Sequence, residues 1–547
     1  MKSRLIAPCS CLSSPTIDHI KYLIATSRPV YQTKLRGRLS ALEEPHRSLA
    51  ATAIASGQFA LSRSIRLHRP RGAFCCAGWC QQCQVVLPDG SRVLACQTPA
   101  STGDPGQLGK HDPLRVIGRL AEHLRPWFWE RHGLGSGRLS QIWLDLLRRL
   151  SGAPPLPTAS SNRSGEWKHE SCDVLIVGGG RSGLIAAQVL ANTGRKVVLV
   201  EAEELGGLAR FLTQQAPALP RLIEQARRAG AELREQTSCL GLYDGATQAL
   251  VLSPNGPSMV EISALVIAAG AYDRLPAFAG NDLPGIIGGR AFLRLAAAGA
   301  VAPGLRVGLY GEATFTSLLH AAAAARGLEF AWVAGPGDLP DLGAQMYSHC
   351  HIRQAWGSDR ITALEIEPGG KLACDVLVLA LSQPAYELQM QAGRQALLMD
   401  DPPTVRTAGP ALLPLIEVGA AAGAAVSDAF DRQIEIDLAA WMADFDTETV
   451  SLPSQEPPKQ PDPRALLCLC EDVRVGDCEE AIADGFDNIE LLKRRTGAGT
   501  GPCQGKLCHA ELMACLARAG RLPALPTVRP LLRPVRLDAF AGADDGR

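Results

Sequence analysis

The chain has 547 residues, too many for one hydrophobic core, so three or more folding units are expected. Apolar residues make up 46%, and basic and acidic side chains balance at 55 each. That excludes a disordered chain and any whole-chain field for nucleic acid or membrane. No apolar run nears the roughly 18 residues of a membrane-spanning helix.

Residues 1–36 are basic and serine-rich without the apolar core of a secretory signal. They read as a poorly ordered extension or the product of an upstream start codon, with a transit peptide as the alternative; the expected location is cytoplasmic. Of 17 cysteines, nine fall in two tight sets, which suits ligand spacing better than scattered disulfides.

The first set lies in residues 37–105. Ser48 can cap a helix whose apolar positions Leu49, Ala50, Ala53 and Ile54 share a face. Cys75-x4-Cys80-x2-Cys83 follows, and Cys96 comes after a strand–turn–strand built on Pro88-Asp89-Gly90. This is the plant-type spacing for a [2Fe–2S] cluster. A zinc site or reduced structural thiols are the alternatives, although zinc usually takes two Cys-x2-Cys pairs. Cys76 reads as a small buried neighbour. Residues 106–168 form a connector with an aromatic cluster suited to domain packing, an amphipathic stretch and a Pro/Ser-rich end.

In residues 169–284 the apolar run Val174–Val177 feeds Gly178-x-Gly180-x-x-Gly183, then a helix-like run, then Val197–Val200 closing on Glu201. Gly178 permits a tight turn, Gly180 admits a pyrophosphate to the backbone, and Gly183 brings helix and strand together. Glu201 can accept hydrogen bonds from a ribose. Spacing alone does not separate FAD from NAD. The run Ile262–Gly270 reads as a buried strand ending in glycine.

Residues 285–385 read as an inserted second nucleotide lobe. After the strand Val307–Gly311, the second and third glycines are replaced by Ala313 and Thr316. The following strand, Phe330–Val333, ends with neither an acid for NAD nor a base for NADP, so NAD(P) binding is expected to be weakened or lost. Residues 386–446 should return to the first lobe. Cys172, Cys239, Cys350 and Cys374 are isolated and read as core thiols, which disfavours a thiol–disulfide reductase.

A Pro-rich linker, 447–464, precedes a last unit at 465–525 and a tail at 526–547. Cys468-x-Cys470 and Cys503-x4-Cys508 flank two helix-like stretches. Four thiolates brought together near helix N-termini would suit an anionic cluster. Zinc or copper binding is the alternative, and Cys478 and Cys515 read as non-ligands.

These motifs carry a resemblance. Residues 75–96 resemble the ferredoxin-like domain of sarcosine oxidase alpha subunits and of hydrogen cyanide synthase. Gly206-Gly207 and Gly270 look like the flavoprotein version of the nucleotide motif, which implies FAD at Gly178, Gly180, Gly183, Glu201, Gly207 and Gly270. TGAGTGPCQGKLC is similar to the bacterioferritin-associated-ferredoxin type of [2Fe–2S] domain in amine and opine oxidase subunits. The implied fold class is multidomain α/β and α+β: a β-grasp ferredoxin-like domain, a two-dinucleotide-binding-domain flavoprotein and a small helical [2Fe–2S] domain.

In opine oxidase, hydroxyproline dehydrogenase and hydrogen cyanide synthase, the resemblance implies an electron-transfer subunit. Its partner would be a catalytic FAD subunit of glycine-oxidase or D-amino-acid-oxidase type. FMN sits at the subunit boundary in some relatives, and electrons go on to a further acceptor. No catalytic base is placed by motif. Two iron centres are expected, on either side of the flavin. The sequence ends at Arg547, where sarcosine oxidase alpha subunits continue into a folate-binding domain, so folate-coupled demethylation is not expected. The alternatives are an NAD(P)H-dependent flavin/iron–sulfur reductase and a metal-delivery or interaction protein.

Overall fold

The computed structural model describes residues 47–64, 66–87, 91–102, 141–142, 167–302, 304–393, 395–399, 404–408, 415–417, 461–521, 526–535 and 537–540. The N-terminal extension, the Pro88-Asp89-Gly90 turn, nearly all of the connector, residues 418–446 and most of the Pro-rich linker lie outside the described residues.

Ser48 caps α1 (Leu49–Ala55), its Oγ accepting from the Ala51 N–H at 3.2 Å. Leu49, Ala50, Ala51 and Ile54 are buried; Ala51 takes the place in the core expected of Ala53. The helix is tied to the segment around Cys96 by Leu49 N–H to Thr98 O at 2.8 Å and Ala50 N–H to Ala95 O at 2.9 Å. Two short antiparallel ladders complete this unit: β1 (Ser62–Arg63) with β2 (Pro70–Arg71), and β3 (Gln84–Val86) with β4 (Arg92–Leu94).

The central unit follows the βαβ pattern. β5 (Lys168–Val177), α2 (Arg181–Ala191) and β6 (Val197–Val200) are followed by α3 (Leu219–Arg228), β7 (Glu232–Arg234), β8 (Ser238–Tyr243), β9 (Gln248–Ser253) and β10 (Gly256–Ile267). The sheet order is β7-β6-β5-β10-β9-β8. β10 is longer than the apolar run foretold. Its first half pairs antiparallel with β9, which carries the chain into the sheet. From Ser258 to Ile267 it pairs in parallel with β5. Val177 lies in register with both Val200 and Ile267, so three strands end together and open the crevice in which such sheets bind ligands.

β11 (Ala271–Asp273) leads to a second parallel sheet with β12 (Ile286–Gly288), β13 (Val307–Gly311), β14 (Trp332–Ala334), β15 (Met346–Tyr347) and a later strand at Val376–Ala380. α4 (Gly289–Ala297) and α5 (Ala313–Ala324) belong to this lobe. An antiparallel sheet follows: β16 (His351–Gly357), β17 (Ile361–Glu367) and β18 (Gly370–Ala373). β19 (Val376–Ala380) completes the parallel sheet in the order β12-β19-β13-β14-β15. β20 (Ser382–Pro384) pairs with β11, lacing the two lobes, and α6 (Glu387–Gln391) follows. β21 (Gln395–Met399) and β22 (Thr404–Ala408) form a hairpin, and β23 (Leu415–Glu417) adds to the end of β10. This is a flavoprotein-type pair of Rossmann-like lobes.

The last unit is small and helical: a hairpin of β24 (Leu466–Cys468) and β25 (Val473–Arg474), then α7 (Val475–Ala483), α8 (Ile489–Thr496) and α9 (His509–Arg518). Asn488 caps α8 through the Leu491 N–H at 3.0 Å.

Two cores join these units. Leu49, Ile54, Phe59 and Leu61 pack with Phe292 and Leu293 of α4 and Leu319 of α5. Phe74, Cys75 and Cys80 share a second core with Leu377 and Leu379 of β19 and with Leu469, Cys503 and Leu507.

Candidate functional site

At the end of β5 the backbone geometry depends on glycine. Gly178 has φ +114°, and a Cβ there would lie 2.1 Å from the Ala268 carbonyl oxygen. A Cβ at 183 would lie 1.9 Å from the Gly178 oxygen. At Gly180, the N-cap of α2, a Cβ would meet nothing within 4 Å. Two glycines therefore close the turn while the third faces open space at a helix N-terminus, as a phosphate requires. Gly206 N–H donates to Gly179 O at 2.7 Å, setting Gly207 against Gly180. Gly270, with φ +75°, also faces open space.

Glu201 sits beside this turn. Its Oε2 accepts from Gly179 N–H at 2.7 Å and its Oε1 from Glu203 N–H at 2.9 Å. Burial nevertheless pushes its carboxyl above the usual range. Two N–H donors fix the carboxylate, and each oxygen keeps a lone pair for a ribose hydroxyl.

In the second lobe the expected departures have a visible effect. Thr316 is fully buried, and its Oγ1 donates within reach of the Glu312 and Ala313 carbonyls, both at 2.9 Å. The side chain bonds back to its own helix turn, at the position of the third glycine of a nucleotide fingerprint.

The N-terminal thiols come together. Cys75 contacts the Cys80 and Cys96 thiols, and Cys96 in turn contacts Cys83. The contacts run in a chain, Cys80–Cys75–Cys96–Cys83, which offers two adjacent pairs, as two irons with two thiolates each require. Ala77 and Cys80 N–H groups donate to the Cys75 sulfur, each at 3.4 Å. Burial alone would raise the Cys75 thiol, but bonds from both neighbouring thiols and both N–H groups hold it well below its ordinary value. Cys76, the neighbour outside the set, is instead pushed well up by burial and by the charge of Cys75.

The C-terminal thiols repeat the pattern as Cys508–Cys468–Cys470–Cys503. Bonds from the Cys470 and Cys508 thiols draw Cys468 well down, aided by Gly499 and Glu471 N–H groups. Cys508 is the N-cap of α9, so the helix dipole favours negative charge there. Gly501 allows the two loops to meet: a Cβ there would lie 2.3 Å from that of Cys470. Among the described residues no group of side chains is arranged to hold a single metal ion. In contrast, burial pushes Cys515, Cys239 and Cys374 each up to about 12 and Cys172 to about 11. These behave as core thiols.

One expectation is overturned. The two thiol sets do not flank the central unit; they adjoin one another. Gln82 Nε2 donates to the Cys470 sulfur at 3.4 Å across 388 residues of sequence. Arg71 donates to the Leu469 and Cys470 carbonyls at 2.9 and 2.8 Å. Arg69 is buried between Asp472, which its Nε reaches at 3.0 Å, and Asp282, which its NH1 reaches at 2.8 Å. Leu67 N–H adds a bond to Asp472 Oδ2 at 3.1 Å. Segment 66–71 thus clamps the Cys468–Asp472 loop.

The central lobe touches both sets through residues that motif reading missed. Tyr272, two residues beyond Gly270, lies 4.9 Å from Trp79 between ring centroids, and Trp79 sits between Cys75 and Cys80. Tyr272 Oη donates to Glu387 Oε2 at 3.2 Å, and Glu387 faces buried Lys506 at 3.7 Å in the Cys503–Cys508 loop. Tyr386 Oη bonds His509 Nδ1 at 2.8 Å, and burial lowers that imidazole to about 3, keeping it neutral. The tail supports this junction: Lys506 Nζ donates to Leu532 O at 2.6 Å and Leu532 N–H to Leu240 O at 2.7 Å. Aromatic and basic residues scattered over four segments leave no local signature; only the proximity of Tyr272 to the glycine strand end was a usable signal.

Paired Rossmann-like lobes joined to two adjoining cysteine sets mark a flavoprotein-type oxidoreductase fold. Residues 43–104 match a 2Fe-2S iron-sulfur cluster binding domain, 176–234 an NAD(P)-binding Rossmann-like domain, and 462–543 the sarcosine oxidase A3 domain. The chain is similar to the sarcosine oxidase alpha subunit of Rhizobium meliloti, with 25% identity over 91% of this chain and 56% of that one. It thus spans about half the length of that relative. It is also similar to an opine oxidase subunit of Agrobacterium tumefaciens, with 25% identity over 68% of this chain and 91% of that one. L-proline dehydrogenase from P. horikoshii shares the fold, with a TM-score of 0.64 and 18% identity, over 91% of this chain and 94% of that one.

Proposed function

We propose that this chain is the FAD- and [2Fe–2S]-containing electron-transfer subunit of a heteromeric amino-acid, amine or opine dehydrogenase, working in the cytoplasm. The observation that carries the reading is the pairing of two four-thiol sets, each supplied with N–H donors, against one lobe with an open glycine turn. Cys75, Cys80, Cys83 and Cys96 would hold one [2Fe–2S] cluster, and Cys468, Cys470, Cys503 and Cys508 the other. Gly178, Gly180, Gly183, Glu201, Gly207 and Gly270 would hold FAD. When bound, the flavin supplies two-electron acceptance and the clusters supply one-electron transfer.

The chain's own residues contribute position and electrostatics. The α2 N-terminus and Gly180 receive the pyrophosphate, and Glu201 orients the ribose. Trp79 and Tyr272 pack together between the glycine strand end and the first thiol set. The Arg69–Asp472 clamp keeps the second set against the first. In this reading amine oxidation belongs to a partner, a flavin subunit of the glycine-oxidase or D-amino-acid-oxidase type. An FMN between the subunits and a separate acceptor complete the proposed path.

The test is anaerobic co-purification with a candidate partner. Substrate should reduce two [2Fe–2S] centres only when both chains are present. Full substrate-driven reduction of the isolated chain would contradict this assignment, and iron-free protein loaded with copper or zinc would point to metal delivery instead.

A further inference from the structure

Gln82 lies between Cys80 and Cys83, yet it is no ligand by spacing, and no motif assigns it. It is almost fully buried, at 3% exposure. Its side-chain Nε2 donates to the Cys80 carbonyl at 3.1 Å and to the Cys470 sulfur at 3.4 Å. Its backbone also lends a hydrogen bond to the Cys80 sulfur. Its Oε1 is buried with no hydrogen-bond partner. The amide orientation is thus fixed by its donors: reversed, the oxygen would face a carbonyl and a sulfur, both acceptors. Leaving a buried amide oxygen unpaired is costly, which a mere space-filling role would not require.

We propose that Gln82 is a positioning residue shared by the two thiol sets, tying the reduction potential of the C-terminal centre to its docking on the N-terminal one. This rests on the reading of both sets as [2Fe–2S] sites. A donor to a ligand sulfur favours the more negative, reduced form, so hydrogen bonds to sulfur raise the potential. Cys470 receives this donor from the N-terminal unit, so the C-terminal centre reaches its working potential only when the two units are seated together. Arg71, bonded to the carbonyls of Leu469 and Cys470, holds the Cys470 loop at the distance the amide needs.

The test is an EPR-monitored redox titration of the full-length chain reconstituted anaerobically with iron and sulfide. Cys503→Ser identifies which signal belongs to the C-terminal set. Gln82→Met keeps the side-chain length but has no donor. It should leave the N-terminal centre in place, because the backbone bond to Cys80 survives. The reduced-to-oxidised ratio of the C-terminal centre at fixed potential should fall about tenfold, ~59 mV for one electron. Should Gln82→Met load poorly, Gln82→Asn, whose shorter amide withdraws from Cys470, is read in the same way. An unshifted C-terminal centre, or equal shifts in both, overturns this inference while leaving the electron-transfer reading intact. A wild-type chain that loads fewer than two centres overturns that reading and this inference with it.

Discussion

Asp472→Ala removes the centre of the clamp between the two thiol-bearing units. Its Oδ1 accepts from Arg69 Nε at 3.0 Å and from Arg69 NH2, and its Oδ2 from Leu67 N–H at 3.1 Å. Both side chains are buried, so the substitution strands a guanidinium in the interior. Breaking a buried pair from one side typically costs 3–5 kcal/mol. Asp282 still holds Arg69 NH1 at 2.8 Å, which places the expected loss near the lower figure. About 3 kcal/mol makes local undocking roughly 100-fold more frequent. Native-state hydrogen exchange should show that loss of protection in segments 62–71 and 466–474, while the β16–β17 ladder exchanges as before. Unchanged exchange in both segments would show that apolar packing alone seats the C-terminal unit. The clamp also has a pH sign. Burial alone would raise the Asp472 carboxyl, but the Arg69 and Arg71 charges more than offset it and hold its pKa below the ordinary 3.8. Its contribution is therefore complete above the ordinary carboxylate range and is lost as pH falls through the lower docked value.

Other substitutions separate the sites. Gly180→Val places its side chain in open space, so the chain should fold with both thiol sets intact while flavin affinity falls at least about tenfold, measured by fluorescence titration. Gly183→Val drives a Cβ onto the Gly178 oxygen and should destabilise the lobe itself by about 1–3 kcal/mol or more, seen as a lower unfolding midpoint with or without flavin. Cys83→Ser should remove one EPR signal and spare the other; loss of both would mean the sets assemble as one unit. Stopped-flow mixing with NADH or NADPH should leave the flavin band unbleached, since Ala313 and Thr316 replace the second and third glycines of the second lobe; rapid bleaching would show a working nucleotide site there.

The glycine turn and the thiol spacings were legible in the sequence because each is a local device: the residues that make the geometry lie within a few positions of one another. The same holds for the Ser48 cap and the βαβ unit. The contact between thiol sets was not legible. It depends on Arg66–Arg71 reaching Leu469–Asp472 across some 400 residues, and arginines and aspartates on a surface loop look the same in sequence whether paired or solvated. Placing the centres on either side of the flavin followed chain order, whereas the two thiol sets pack together in one core with strands of the second lobe. Tyr272, Glu387, Lys506 and His509 escaped for a similar reason: each is ordinary alone and informative only in contact.

The central claim is that eight thiolates hold two adjacent [2Fe–2S] centres beside one FAD. The most direct measurement is iron, acid-labile sulfide and flavin analysis of the anaerobically reconstituted chain, with low-temperature EPR after full reduction. The account predicts four irons, four sulfides and one FAD per chain, with two signals broadened by their mutual proximity. A single centre, two centres whose signals show no interaction, or zinc or copper without sulfide would contradict it.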